Sequence, residues 1–210
     1  MGCGKTTAKE AHVPESQEPQ KPQEPQKSQE AKNSNYKSIA SLYVKNESAE
    51  TKLNPKNYFE VPKQLKVLGN SLQVETNSED WLHLVFKARV ANKLYLQIEI
   101  TQGEKVFIGG VAKEDLRGMG TKKLDQESGL RVYTYDASGL VHSQFGSFSY
   151  SQFLWKANQG EVMGAEFLGQ EINFYKNQRK IYTHDFEEEV VPVVSLCGLG
   201  TAVKLVGLSN

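Results

Sequence analysis

From Gly160 to Leu208 the chain reads GEVMGAEFLGQEINFYKNQRKIYTHDFEEEVVPVVSLCGLGTAVKLVGL, a succession of short runs broken by turn residues. Gly160-Glu161 opens a strand that ends near Leu168-Gly169. Ile172 to Tyr175 makes the next run, closed by Lys176-Asn177-Gln178. Ile181, Thr183 and Asp185 then alternate with Tyr182, His184 and Phe186. Val190 to Leu196 and Thr201 to Leu208 are β-branched runs on either side of Cys197-Gly198-Leu199-Gly200. Strands of this length and spacing, with turns between them, predict an all-β sandwich or barrel.

The pattern extends upstream. Leu65, Val67, Leu72 and Val74 flank the turn residues Gly69-Asn70. Trp81 to Ala88 is mostly apolar. Leu94, Leu96, Ile98 and Ile100 alternate with Tyr95, Gln97, Glu99 and Thr101, which predicts a half-buried strand. Gly103 turns the chain into Val106 to Ala112, whose paired Gly109-Gly110 suggests a bulge.

Three strings in the C-terminal stretch follow a known order. Gly160-Glu161-Val162-Met163-Gly164 resembles the "G-D-V-x-G" strand of SPRY domains. Ile172-Asn173-Phe174-Tyr175-Lys176-Asn177 resembles their "L-x-F-Y-x-N-G" hairpin, and Val191-Pro192-Val193-Val194-Ser195-Leu196 their "Y-P-x-V-S-L" strand. Upstream, Leu96 to Glu99, Ile108 to Ala112, and Leu130 to His142 around Asp136-Ala137-Ser138-Gly139 resemble further segments of the family. Leu53-Asn54-Pro55 is similar to the Leu-Asp-Pro that opens longer members. The chain departs from the pattern at Glu161, Gln178 and Val191. Gln178 stands where the hairpin has Gly, and a two-residue hairpin needs positive φ at both central positions, so a longer or different turn is expected. The resemblance implies a two-sheet antiparallel β-sandwich over residues 55–210. A domain of that size buries about 70 % of its unfolded surface and needs no disulfide or metal to hold it.

Ahead of the sandwich the reading is a tail over 1–35 and a transitional segment over 36–54 that packs on the domain through Ile39, Leu42, Tyr43 and Val44. Residues 18–29 are a near-repeat of Glu-Pro-Gln-Lys-Pro-Gln. Such composition cannot bury enough surface to offset the entropy of ordering, so the tail is expected to be disordered. In an extended state, at ~3.1 Å per residue, its proline-bearing part spans on the order of 50 Å. Met1-Gly2-Cys3-Gly4-Lys5-Thr6 matches the N-myristoylation pattern, with Gly2 as acceptor and Cys3 beside it for a palmitate. One myristoyl chain binds membranes only reversibly, so a second signal is required. Residues 1–35 hold five Lys and five Glu, so charge cannot supply that signal and Cys3 can.

Lys plus Arg and Asp plus Glu both total 25, and this zero net charge argues against nucleic acid, whose binding is dominated by phosphate neutralisation. No run is long enough for a membrane helix. A cytosolic protein on the cytosolic face of a membrane is expected. The two cysteines make no disulfide framework, and neither zinc nor calcium spacing is present, so no metal or cofactor is expected.

Candidate chemistry is sparse. His12, His83, His142 and His184 lie in no metalloprotease or nucleophile-elbow pattern. Asp185, Glu187 and Glu189 at i, i+2 and i+4 would share one face of a strand, and paired carboxylates can divide acid and base roles. They support an alternative, a carbohydrate-binding or carbohydrate-hydrolysing sandwich. The favoured expectation is a non-enzymatic, monomeric adaptor that binds a protein partner through end loops, as the SPRY resemblance implies. The candidate loops run from Arg89 to Lys93, Lys113 to Arg117, Tyr133 to Asp136, and Gly198 to Gly200. Arg89, Asn92, Lys113, Asp115, Arg117, Tyr133, Tyr135, Asp136, Gly198 and Leu199 are the candidate contacts, with Arg89, Arg117 and Tyr135 as anchors because Arg and Tyr dominate interface hot spots. A further alternative is the substrate-recognition subunit of a ubiquitin ligase, which would need an additional partner-recruiting segment.

Overall fold

Among the described residues, fourteen strands form two seven-stranded antiparallel sheets. The computed structural model describes residues 53–75, 79–90, 93–148 and 155–209, with Phe148 as backbone only. These all belong to one unit, Asn46–Asn210. The expectations for the tail, Gly2, Cys3, His12, Asn92 and residues 36–52 lie outside the described residues.

A single helical turn, α1 (Pro55–Tyr58), opens the described chain, and Asn54 caps it by accepting the Lys56 N–H at 3.0 Å. The first five strands are β1 (Phe59–Glu60), β2 (Leu65–Leu68), β3 (Ser71–Val74), β4 (Trp81–Phe86) and β5 (Lys93–Gln102). After β6 (Val106–Ala112) the chain makes two short 3-10 helices, Lys113–Gly118 and Gln126–Ser128. Then come β7 (Val132–Asp136), β8 (Val141–Ser143), β9 (Gly146–Phe148), β10 (Val162–Leu168) and β11 (Glu171–Lys176). The last three are β12 (Arg179–Asp185), β13 (Val190–Cys197) and β14 (Ala202–Ser209). One sheet has the order β1-β4-β13-β6-β7-β8-β9, the other β12-β11-β10-β5-β14-β3-β2.

The alternation along β5 does what its pattern predicts. Leu94, Leu96, Ile98 and Ile100 are fully buried between the sheets, where they meet Leu82, Leu84, Ile108, Leu196 and Phe174. Two inner faces that interdigitate in this way are the standard solution for burying the apolar side of each sheet. The first sheet is also covered on its outer face. Residues 113–130 fold over it and enclose a second apolar cluster of Val111, Met119, Leu124, Val132 and Val193. The Thr134 hydroxyl donates to the Leu124 carbonyl at 2.7 Å and fixes that cover.

Three expectations change. First, Tyr133, Tyr135 and Asp136 are not in a loop: they belong to β7, and every residue of that strand is buried. The covering segment buries the outer face while the sandwich buries the inner one, so local polarity is no guide there. Second, Gly109-Gly110 makes no bulge, because β6 stays in continuous register with both β13 and β7. The glycines allow close packing instead. A Cβ on Gly109 would strike the Tyr133 carbonyl and lie 2.7 Å from Thr134 Cα, and one on Gly110 would strike Val190. Third, the β11–β12 hairpin keeps a tight two-residue turn, with Asn177 at φ 47° and Gln178 at φ 69° and Lys176 paired to Arg179. Asn177 locks it: its side-chain oxygen accepts the Val162 N–H at 2.8 Å and its amide donates to Glu161 Oε1 at 2.9 Å. Asn tolerates this region better than most residues, while Gln178 bears the steric cost.

Candidate functional site

The pairings divide the predicted loops between the two ends of the sandwich. Val190 of β13 stands opposite Ala112, which places Lys113, Glu189 and the end of β4 together. Cys197 stands opposite Trp81, so Gly198 and the 60 % exposed Leu199 lie at the other end, away from Arg89, Lys113, Asp115 and Arg117.

At the first end Phe186, Glu187 and Glu188 of the β12–β13 connection line a cleft of about 490 Å³. Phe186 is anchored: its N–H donates to the Gln170 carbonyl at 2.8 Å and its ring lies 5.6 Å from the Tyr133 ring. Tyr133 rises from the core to donate its hydroxyl to Glu188 Oε1 at 2.7 Å. Burial and the neighbouring Glu188 carboxylate push that phenol well above its ordinary range, so it remains a donor. Phe145, in the turn between β8 and β9, also lines the cleft and is 76 % exposed. Glu171, Asp185, Glu187 and Glu188 supply the polar lining. A smaller depression of about 250 Å³ shares Gln170, Phe186, Glu187 and Glu188 and extends to Arg89 and Val90.

The three acids considered for carbohydrate chemistry do not share a strand face. Asp185 ends β12, Glu187 stands in the bend, and Glu189 turns to Lys113 Nζ at 3.0 Å and Arg89 Nε at 3.6 Å. Their strand spacing is lost because β12 stops where the chain crosses to the other sheet.

Asp115 accepts from the Arg131 backbone at 2.8 Å and from its Nε at 3.0 Å, and these hydrogen bonds hold its carboxyl below the usual range. Glu114 takes the same guanidinium at 2.8 Å. Arg117 is exposed on the 3-10 turn. Tyr135 is fully buried, and its hydroxyl donates to the Trp155 carbonyl. Asp136 accepts from Ser138 at 2.6 Å, the Leu140 N–H at 3.0 Å and His142 Nε2 at 2.8 Å. Burial would raise its carboxyl, and these donors more than offset it, so it titrates below its ordinary value. His142 Nδ1 meets Ser147 Oγ at 2.7 Å. With Asp136 committed to the 137–139 turn, this chain of groups braces three adjacent strands.

Sequence reasoning missed Phe145, Glu171 and Glu188. The available signals were a bulky aromatic in a short turn and an acidic run just before an apolar strand.

The architecture places this chain in a class: a SPRY-type β-sandwich. It superposes on a human SPRY domain with a TM-score of 0.53 at 19 % identity, covering 68 % of this chain and 94 % of that one. For the SPRY domain of human HERC1 the TM-score is 0.51 at 16 % identity, with 70 % and 96 % covered. For the TRIM65 PSpry domain it is 0.54 at 12 % identity, with 71 % and 88 % covered. No protein-family model matches the sequence, and no curated protein matches it significantly. The likeness is therefore one of fold.

Proposed function

We propose that this protein is a non-enzymatic, monomeric adaptor. Acylation at Gly2 and Cys3 holds it on the cytosolic face of a membrane, and the sandwich binds a protein partner through the loops at the Glu189 end. The observation that carries this reading is Phe145, a large aromatic 76 % exposed beside a cleft on a rigid frame. Exposed aromatics next to concave surfaces are the usual anchors of interfaces. The SPRY-type neighbours support the choice, since loops on a rigid sandwich are where recognition sits. The anchoring half rests on Gly2, Thr6 and the adjacent Cys3.

Affinity capture with the full chain, compared with an Arg89→Ala, Arg117→Ala, Phe145→Ala variant, tests the binding half. Selective loss of captured proteins supports it, and an identical captured set overturns it. Cell fractionation of Gly2→Ala tests the other half: a shift to the soluble fraction is expected, and a protein that stays on membranes refutes the anchor.

A further inference from the structure

We infer that the cleft between Phe145 and the β12–β13 connection takes a cationic peptide segment that carries one bulky apolar residue. This rests on the partner-binding reading above and specifies the chemistry of the partner. Most cations near this end of the sandwich are engaged by acids outside the cleft, and the exposed Arg117 is not among the residues that line it. Lys113 and Arg89 pair with Glu189, Arg131 with Glu114 and Asp115, and Lys93 with Glu166 at 2.8 Å. Among the described residues, the lining itself holds Glu171, Asp185, Glu187 and Glu188 and no Lys or Arg. Asp185 and Glu187 have no side-chain hydrogen bond or ion pair among the described residues. Glu171 accepts from Asn173 at 2.7 Å and Glu188 from Tyr133, so each of these has a fixed orientation without being neutralised.

Four carboxylates gathered on one concavity focus a negative field into it. Their mutual repulsion is relieved by a bound cation, which gives a Lys- or Arg-bearing segment both faster encounter and selectivity over neutral or acidic ones. The apolar requirement follows from the floor. Tyr133 and Phe186 form that floor almost wholly buried, and Phe145, which lines the same cleft, is left mostly in water, so an apolar side chain laid against its ring removes both from solvent. The cleft volume falls in the range of about 300–1,000 Å³ usual for ligand sites.

The test is a selection of peptides from a random library displayed on phage against the immobilised full chain. Enriched peptides are then synthesised and titrated by fluorescence anisotropy. Enrichment of Lys or Arg around one large apolar residue is expected. Affinity should fall about tenfold in Asp185→Lys, Glu187→Lys, whose side chains are exposed and make no contact the fold needs. It should also fall with added salt in the unmutated protein, and with Phe145→Ala. Cationic peptides indifferent to these substitutions overturn the inference. Neutral or acidic peptides that are lost with Phe145→Ala overturn it too but leave the partner-binding reading standing. No enrichment, together with unchanged capture by the triple variant, removes both.

Discussion

Acidification should weaken this fold through His83. Its side chain lies on the outer face of β4 under the 113–130 cover, 7 % exposed. Nδ1 sits 2.8 Å from Ser195 Oγ, while Nε2 is buried without a hydrogen-bond partner of good geometry. Burial lowers its pKa from the ordinary 6.5 to about 4, the Lys122 backbone offsetting only part of the effect. The folded value lies below the unfolded one, so the native state binds fewer protons. The stability at stake is intact above pH 6.5 and erodes as pH falls toward 4. At about 1.36 kcal/mol per pKa unit, the full loss is about 3 kcal/mol, of which about 2 kcal/mol is gone by about pH 5. Urea unfolding of the full chain at about pH 7.5 and about pH 5, compared with His83→Asn, measures it. Asn keeps a polar group toward Ser195 and does not titrate. His184, whose pKa burial also lowers, is present in both proteins and cancels in the difference. The unmutated protein should lose about 2 kcal/mol more than the variant. Equal losses, or an NMR titration of the His83 ring near its ordinary value, refute the reasoning.

Gly109→Ala should cost more than about 3 kcal/mol, because its Cβ meets the Tyr133 and Thr134 backbone, which cannot yield without breaking the β6–β7 ladder. A melting temperature near that of the unmutated protein would show that the ladder gives way. Gln178→Gly should stabilise by about 0.5 kcal/mol: relief of the left-handed strain outweighs the added entropy of the unfolded chain. A lower urea midpoint would refute this. Phe145→Ala should change stability by no more than about 0.5 kcal/mol, since the ring is mostly in water. A larger loss in the same unfolding assay would mean that Phe145 serves the fold rather than a partner.

Much of the architecture was legible in the chain because strand periodicity is local. The alternation from Leu94 to Ile100 predicted which side chains of β5 face the core, and the β-branched run from Val190 to Leu196 marked β13. Glu161, which stands where the SPRY pattern has Asp, holds a local junction together. It accepts from the Asn158 backbone at 2.8 Å, from Lys176 at 3.1 Å and from Asn177, tying β10 to the following hairpin.

The candidate site was less legible. Tyr133-Thr134-Tyr135-Asp136 reads as polar and turn-like, yet it is buried on both faces because a segment that precedes it folds over the sheet. The acids at 185, 187 and 189 read as one face of a strand, but the strand ends at Asp185. The cleft brings Phe145 against residues some forty positions later in the chain, and only the packing of β7 and β8 beside the β12–β13 crossing does this. Local sequence thus determined where the backbone is extended, where it turns and which side of β5 is apolar. Tertiary structure decided which strand ends converge, which charges are neutralised and which aromatic ring is left in water. Those outcomes depend on contacts between distant residues, and a side chain's own neighbours in sequence exert no force that specifies them.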